Sequence, residues 1–188
     1  MMRIWALGLV AGLVAALAGC TGKPSLQDKP MSGQDFALER FFDGRLVARG
    51  QFQDVFGTVR RSFVVQLVGD WDGERLRLVE DFTYEDGSTE QRIWTLQKVG
   101  PVTADQAWEG TAPGVIGIAK GQEKGDRFNW AYTIDLPVPQ ANGPAGVSRV
   151  SFDDWMWAQS EDRLFNRAYM KKYGLDVGDV SISFEKLD

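Results

Sequence analysis

The sequence predicts an all-β fold: an antiparallel up-and-down barrel, lipocalin-like in plan, of about 8–10 strands. Three observations predict it. From Arg45 onward the apolar residues recur with a period of two, and no window carries a sustained helical stripe. The pairs Asp72-Gly73, Asp86-Gly87 and Lys124-Gly125 punctuate these runs as hairpin signals. The parity of the apolar positions also stays consistent from one run to the next, as one shared core requires.

The N-terminus precedes the barrel. Arg3 gives a small basic start, and Ile4 to Leu17 carries no charge. That run is too short to span a bilayer comfortably and suits the apolar region of a signal peptide. It ends in Leu17-Ala18-Gly19-Cys20, which resembles the lipobox of bacterial lipoproteins. Residues 1–19 are therefore expected to be removed, leaving Cys20 lipidated. Cys20 is the sole cysteine, so an exported chain would carry no spare thiol. Thr21 follows it where inner-membrane retention would favour Asp. This resemblance to the sorting rule of Gram-negative bacteria implies an outer-membrane anchor facing the periplasm. Residues 20–34 hold prolines and glycines with few large apolar residues, and read as a flexible tether. Such a coil would span about 20 Å, or nearly 50 Å fully extended.

Residues 35–188 are read as one barrel domain. Strands are expected near 45–54, 59–71, 74–85, 89–99, 107–111, 115–122, 127–136, 147–158, 163–171 and 179–186. In the first, even positions face inward: Leu46, Ala48, Gly50 and Phe52. In the second the inner set is odd: Phe63, Val65, Leu67 and Trp71. In the third it is even: Leu76, Leu78, Phe82 and Tyr84. A two-residue Asp72-Gly73 loop would pair Leu67 with Leu78 and Phe63 with Phe82. The fourth strand is even again, with Trp94 and Leu96, so its loop needs an odd number of residues. Asp86-Gly87-Ser88 would supply it, pairing Leu78 with Leu96 and Phe82 with Arg92. Phe128, Trp130, Tyr132, Ile134 and Leu136 continue the inner face, as do Val180, Ile182 and Phe184.

Charged residues break this face at Arg61, Glu80 and Arg92. They are either a buried ion pair with an arginine at the barrel mouth, or a polar anchor inside an apolar cavity. Two guanidinium groups against one carboxylate would leave a positive surplus able to receive a carboxylate or phosphate. Asp153 or Asp154 could equally meet that charge. Ala48 and Gly50 remove volume, which fits either a cavity or a tight bend. Phe152 to Trp157 reads FDDWMW. Its adjacent carboxylates must face opposite ways, so they cannot form a glycosidase pair with each other. Trp155 and Trp157 share a face, as core packing or as an aromatic lining. The candidate ligand-binding set is Arg61, Glu80, Tyr84, Arg92, Trp94 and Asp154.

Composition narrows the chemistry. There is no histidine, so a Ser/His or Cys/His nucleophile and a Cys/His zinc site are excluded. With one cysteine no intrachain disulfide can form. The net charge of −5, without a dense Lys/Arg run, argues against binding nucleic acid or anionic lipid surfaces by charge. No cofactor, metal or catalytic residue is implied. An enzyme would have to rest on carboxylates such as Glu80 and Asp154.

Phe82-Thr83-Tyr84-Glu85-Asp86-Gly87, Arg92-Ile93-Trp94, Phe152-Asp153-Asp154-Trp155-Met156, Leu164-Phe165-Asn166-Arg167 and Met170-Lys171-Lys172-Tyr173-Gly174 together resemble the bacterial lipoprotein family of domain of unknown function 3833. The resemblance covers nearly the whole mature chain. It implies a lipoprotein and hints at lipid involvement, since members are often encoded near fatty-acid-modifying enzymes; it transfers no catalytic residue. The expected function is an envelope lipoprotein whose barrel binds or shields an apolar ligand such as a fatty acyl chain. The alternative is an interaction lipoprotein with a filled barrel and no ligand.

Overall fold

The computed structural model describes residues 22–138 and 146–187. Cys20 and the signal-like run lie outside the described residues. Ten antiparallel strands form a closed up-and-down barrel. They are β1 (Gly44–Asp54), β2 (Val59–Trp71), β3 (Arg75–Tyr84), β4 (Thr89–Val99), β5 (Ala107–Thr111), β6 (Ala119–Lys124), β7 (Arg127–Val138), β8 (Gly146–Ala158), β9 (Arg163–Lys172) and β10 (Leu175–Leu187). Each strand pairs with its neighbours in sequence, and β1 pairs with β10 to close the ring. Closure leaves no edge strand to be protected.

The parity expected from the sequence is the parity observed. Leu46, Val65, Leu67, Leu76, Leu78, Leu96, Phe128, Trp130 and Phe184 are all buried in one core. Two registers differ from expectation, each by two residues. Leu67 lies opposite Glu80, and Leu78 opposite Trp94. Aspartate capping is the cause. Asp72 Oδ1 accepts the N–H groups of Glu74 and Arg75, so Asp72 starts the turn and Gly73 and Glu74 form its tip. Asp86 Oδ1 likewise accepts the N–H and hydroxyl of Ser88, and the loop is Glu85-Asp86-Gly87. A shift of two leaves every side chain on its face. The sixth strand also begins later than expected, at Ala119, because residues 112–118 cross to β7 through the Val115–Ile134 bridge.

The two ends of the barrel differ. One is closed by a five-residue helix, α1 (Leu38–Phe42), that the period-two reading did not anticipate. Its Leu38, Phe41 and Phe42, with Phe36 before it, are buried. Phe42 meets Phe184 edge-on at 5.6 Å, and Phe36 meets Phe128 at 6.2 Å. Buried Glu123 accepts the Leu38 N–H at 2.6 Å, capping a helix that no side chain of its own caps. The other end, carrying the β1–β2, β3–β4, β5–β6, β7–β8 and β9–β10 connections, has no such plug among the described residues.

Residues 22–34, expected as a flexible tether, lie instead along the barrel wall. Asp126 Oδ2 accepts the N–H groups of Met31 (2.5 Å) and Ser32 (2.8 Å), and its other oxygen pairs with Arg127 Nε at 3.1 Å. The Arg127 guanidinium donates to the carbonyls of Ser25 and Lys29. Both charged side chains are buried, where their pairing and backbone partners offset desolvation.

Candidate functional site

The inner faces of the strands enclose a cavity of about 310 Å³, at the small end of the range for ligand pockets. Its floor is apolar, with Leu38, Phe42, Leu76, Leu96, Phe128 and Phe184. Aromatic rings line the wall. Trp94 meets Trp130 and Tyr132 edge-on at 5.7 and 5.1 Å, and Tyr132 stacks on Phe152 at 5.2 Å.

A polar belt interrupts this wall. Arg92 faces Glu80 across the β3–β4 ladder. Its Nη2 nevertheless reaches along its own strand to Glu90 Oε1 at 2.8 Å. The second oxygen of Glu90 accepts the Tyr84 hydroxyl at 2.8 Å. Asp154 points inward from β8 and accepts the amide of Asn166, which also donates to the Trp155 carbonyl. Burial pushes Glu80 up to about 7, against the pull of Arg92. Burial likewise raises Asp154 to about 7, opposed by the Asn166 hydrogen bond and reinforced by Glu80. Burial raises Tyr132, with Asp154 adding to it, and burial with the Glu90 carboxylate lifts Tyr84 to about 12.

At the mouth, Arg61 lays its guanidinium over the Tyr84 ring, 3.4 Å from the centroid. It donates to Ser88 Oγ at 2.8 Å and lies 3.6 Å from Asp86. Its side chain is 42% exposed, so this cation can meet a ligand without a large desolvation cost.

All six candidate residues other than Cys20 thus line one cavity: Arg61, Glu80, Tyr84, Arg92, Trp94 and Asp154. Of the two charge balances the sequence leaves open, the geometry favours the one without a surplus: Glu90 and Asp154 join Glu80 around Arg92 in this belt. Glu90 was legible: it shares the even parity of Arg92 and Trp94. Asn166 and Tyr132 also belong to the belt: Asn166 reaches Asp154 across the β8–β9 pair, and Tyr132 meets Trp94 across the barrel interior. Two other expectations give way. A Cβ on Gly50 would fall 2.6 Å from the Phe63 ring, so the missing side chain makes room for Phe63 and not for a ligand. Trp155 and Trp157 stack with each other on the outer face, where Trp157 also stacks on Phe165.

Among solved structures, the chain is similar to an S-type phycobiliprotein lyase, CPES, from Guillardia theta. The TM-score is 0.57 at 10% identity, over 81% of this chain and 93% of that one. At that identity the likeness shows a shared barrel fold. No curated protein matches the sequence. The family model described as protein of unknown function (DUF3833) matches residues 14–186, nearly the whole chain, and the chain belongs to that family.

Proposed function

We propose that the barrel binds an apolar small molecule such as a fatty acyl chain, and that it does so as a lipid-anchored protein of the cell envelope, held by Cys20 at the outer membrane and facing the periplasm. The observation that carries the binding is the cavity itself. It has a closed apolar floor, aromatic walls and one half-exposed guanidinium at its open end. A barrel serving only as a scaffold gains nothing from buried charges where apolar residues would pack as well. The similar barrel fold of a lyase for phycobiliproteins is in keeping with a ligand-handling role.

The electrostatics orient the ligand. Arg92 is already engaged by Glu90 and flanked by Glu80 and Asp154, so an anionic head group in the belt would face carboxylates. Arg61 offers the better site, which puts the acyl tail inward and the head group at the mouth. A charge-assisted hydrogen bond to an arginine contributes about 1.5–3 kcal/mol, and exposure puts Arg61 at the lower end, roughly tenfold in affinity. Arg61→Met should therefore weaken binding of a long-chain fatty acid about tenfold and leave a long-chain alcohol nearly unchanged, as read by quenching of the cavity tryptophans. Equal loss for both would assign Arg61 to structure alone. Native mass spectrometry of the purified protein checks the premise, and failure to bind either probe would end the carrier reading.

A second reading rests on Glu80 and Asp154. Two carboxyl groups raised to about 7 in one cavity are suited to hold and pass a proton near neutrality. Recovery of a bound molecule chemically altered by the wild type, and unaltered by Asp154→Asn, would favour it.

A further inference from the structure

The exposed apolar side chains are unevenly placed. Thirteen large hydrophobic residues are exposed among those described, and eight sit at the open end: Val55, Phe56 and Val59, Ile116 and Ile118, Val147, and Tyr173 and Leu175. They lie in or next to the β1–β2, β5–β6 and β9–β10 connections and at the start of β8, so they edge the mouth except at the β3–β4 turn, which carries Glu85 and Asp86. The closed end exposes Met31, Val99 and Val102. Scattered apolar residues need no explanation, but a ring around an open cavity does.

The turns that present them are built to hold them out. Asp54 Oδ1 accepts the N–H groups of both Phe56 and Thr58, and Asp54 Oδ2 takes Arg60 Nε at 2.6 Å. Gly57 at φ +79° completes the turn. Phe56, 89% exposed, stands at its tip. On the adjacent hairpin, since β10 pairs with β1, Tyr173 (φ 53°) and Gly174 (φ 79°) form a two-residue turn whose twist suits a hairpin. Tyr173 is 90% exposed, with Lys172 Nζ 5.6 Å from its ring. An exposed aromatic ring beside a half-buried lysine is a pairing suited to a lipid headgroup layer.

The course of the N-terminal segment names the occupant. From its clasp at Asp126 and Arg127 it runs up the wall toward the mouth. Lys23 Nζ lies 3.7 Å from Asp153, 3.9 Å from Asp176 and 5.1 Å from the Tyr169 ring. Asp176 is only two residues beyond Gly174 at the tip of the mouth turn, about 7 Å along the strand. Cys20 is two residues before Gly22, and so within about 7 Å of it. The described chain begins at Gly22, in a groove with Lys23, Trp157 and Tyr169, so a lipid anchor at Cys20 would leave from the same flank of the barrel that carries the Tyr173 turn.

We propose that the open end of the barrel docks on the lipid bilayer, with the ring of Phe56, Ile118, Tyr173 and their neighbours entering the headgroup region, so that the cavity opens directly onto lipid. This orientation rests on the envelope-anchored reading above, and it adds a route by which an acyl chain passes between membrane and cavity without crossing water.

The test is site-specific photocrosslinking. The benzophenone amino acid p-benzoylphenylalanine replaces Phe56, Ile118, Tyr173 or, at the opposite end, Val102, one at a time in the full chain. Each protein is mixed with vesicles of phosphatidylethanolamine and phosphatidylglycerol carrying a radiolabelled phospholipid, then irradiated. Label is expected on the chain at positions 56, 118 and 173, at least several-fold above position 102. Adding Phe56→Ser and Ile118→Ser should reduce adducts at 173; both side chains are solvent-facing, so the fold should tolerate them. Equal labelling at 102 and 56, or none at the mouth, would overturn the proposal. Fatty-acid binding is measured on the same preparations. Binding without mouth adducts sinks the docking alone, and mouth adducts without binding sink the carrier reading alone.

Discussion

Single carboxylates decide more in this protein than their number implies. Asp72 and Asp86 each set a hairpin register by capping backbone N–H groups. Hydrogen bonds hold both low, chiefly from the Arg75 N–H for Asp72 and the Ser88 hydroxyl for Asp86. Glu80, Asp154 and Glu123 are the opposite case. Burial raises each to about 7, while unfolded chains titrate near 4. The folded state therefore binds more protons than the unfolded state between these values. Stability from these groups is fully present below about pH 4 and lost as pH rises through about 7. The melting temperature should be higher at pH 5 than at pH 8, by a few degrees. Asp154→Asn and Glu80→Gln should each flatten that slope, because a neutral amide does not titrate. A wild-type melting temperature that rises steadily from pH 5 to pH 8 would show that these carboxyls ionise freely inside the barrel.

At the level of elements, small residues and one short helix shape the interior. Gly50, Gly110 and Gly121 each leave space that an aromatic ring fills: Phe63 at the first, Trp130 at the second, Phe128 and Trp130 at the third. Gly69 does something different. A Cβ there would lie 1.8 Å from the Phe42 carbonyl oxygen, so β2 and the C-terminal end of α1 are in backbone contact. Gly69→Ala must lift the helix from the floor, at a cost of about 1–3 kcal/mol for overpacking. Urea unfolding should show that loss, while Gly33→Ala, with no atom within 4 Å, should leave the midpoint unchanged. Equal midpoints would mean that the plug tolerates displacement. The helix was not legible in the sequence. Its five residues are too few for a 3.6-residue period to emerge, and its cap comes from Glu123 on a distant strand. The docked N-terminal segment was hidden for a similar reason. Its own composition is that of a linker, and its partners, Asp126 and Arg127, look like solvated turn residues until the fold brings them together.

For the molecule as a whole, the strands were legible because closure demands one inner face, and parity is a property of sequence. Leu67, Leu78 and Leu96 could be assigned inward before any register was known, and an error of two residues at a turn did not move them. The same parity placed Arg61, Glu80 and Arg92 inside, and required that one of Asp153 and Asp154 face inward with them. What it could not supply was distance around the ring, which decides that Arg92 turns to Glu90 and Asp154 to Asn166. Nor could it distinguish an open end from a plugged one. The lipid anchor proposed at Cys20 is what would link this architecture to a function at the envelope. Cys20 follows Leu17-Ala18-Gly19, and acyl chains there would add about 0.8 kcal/mol of membrane affinity per buried methylene. The apolar ring at the mouth is a far weaker holdfast, since only side-chain tips reach lipid. Losing the acyl chains should therefore abolish stable membrane attachment even with the mouth intact. Cys20→Ser is expected to stay unprocessed, or to be released from the envelope fraction, and to take up no radiolabelled palmitate. Wild-type protein that takes up no palmitate would exclude the lipid anchor.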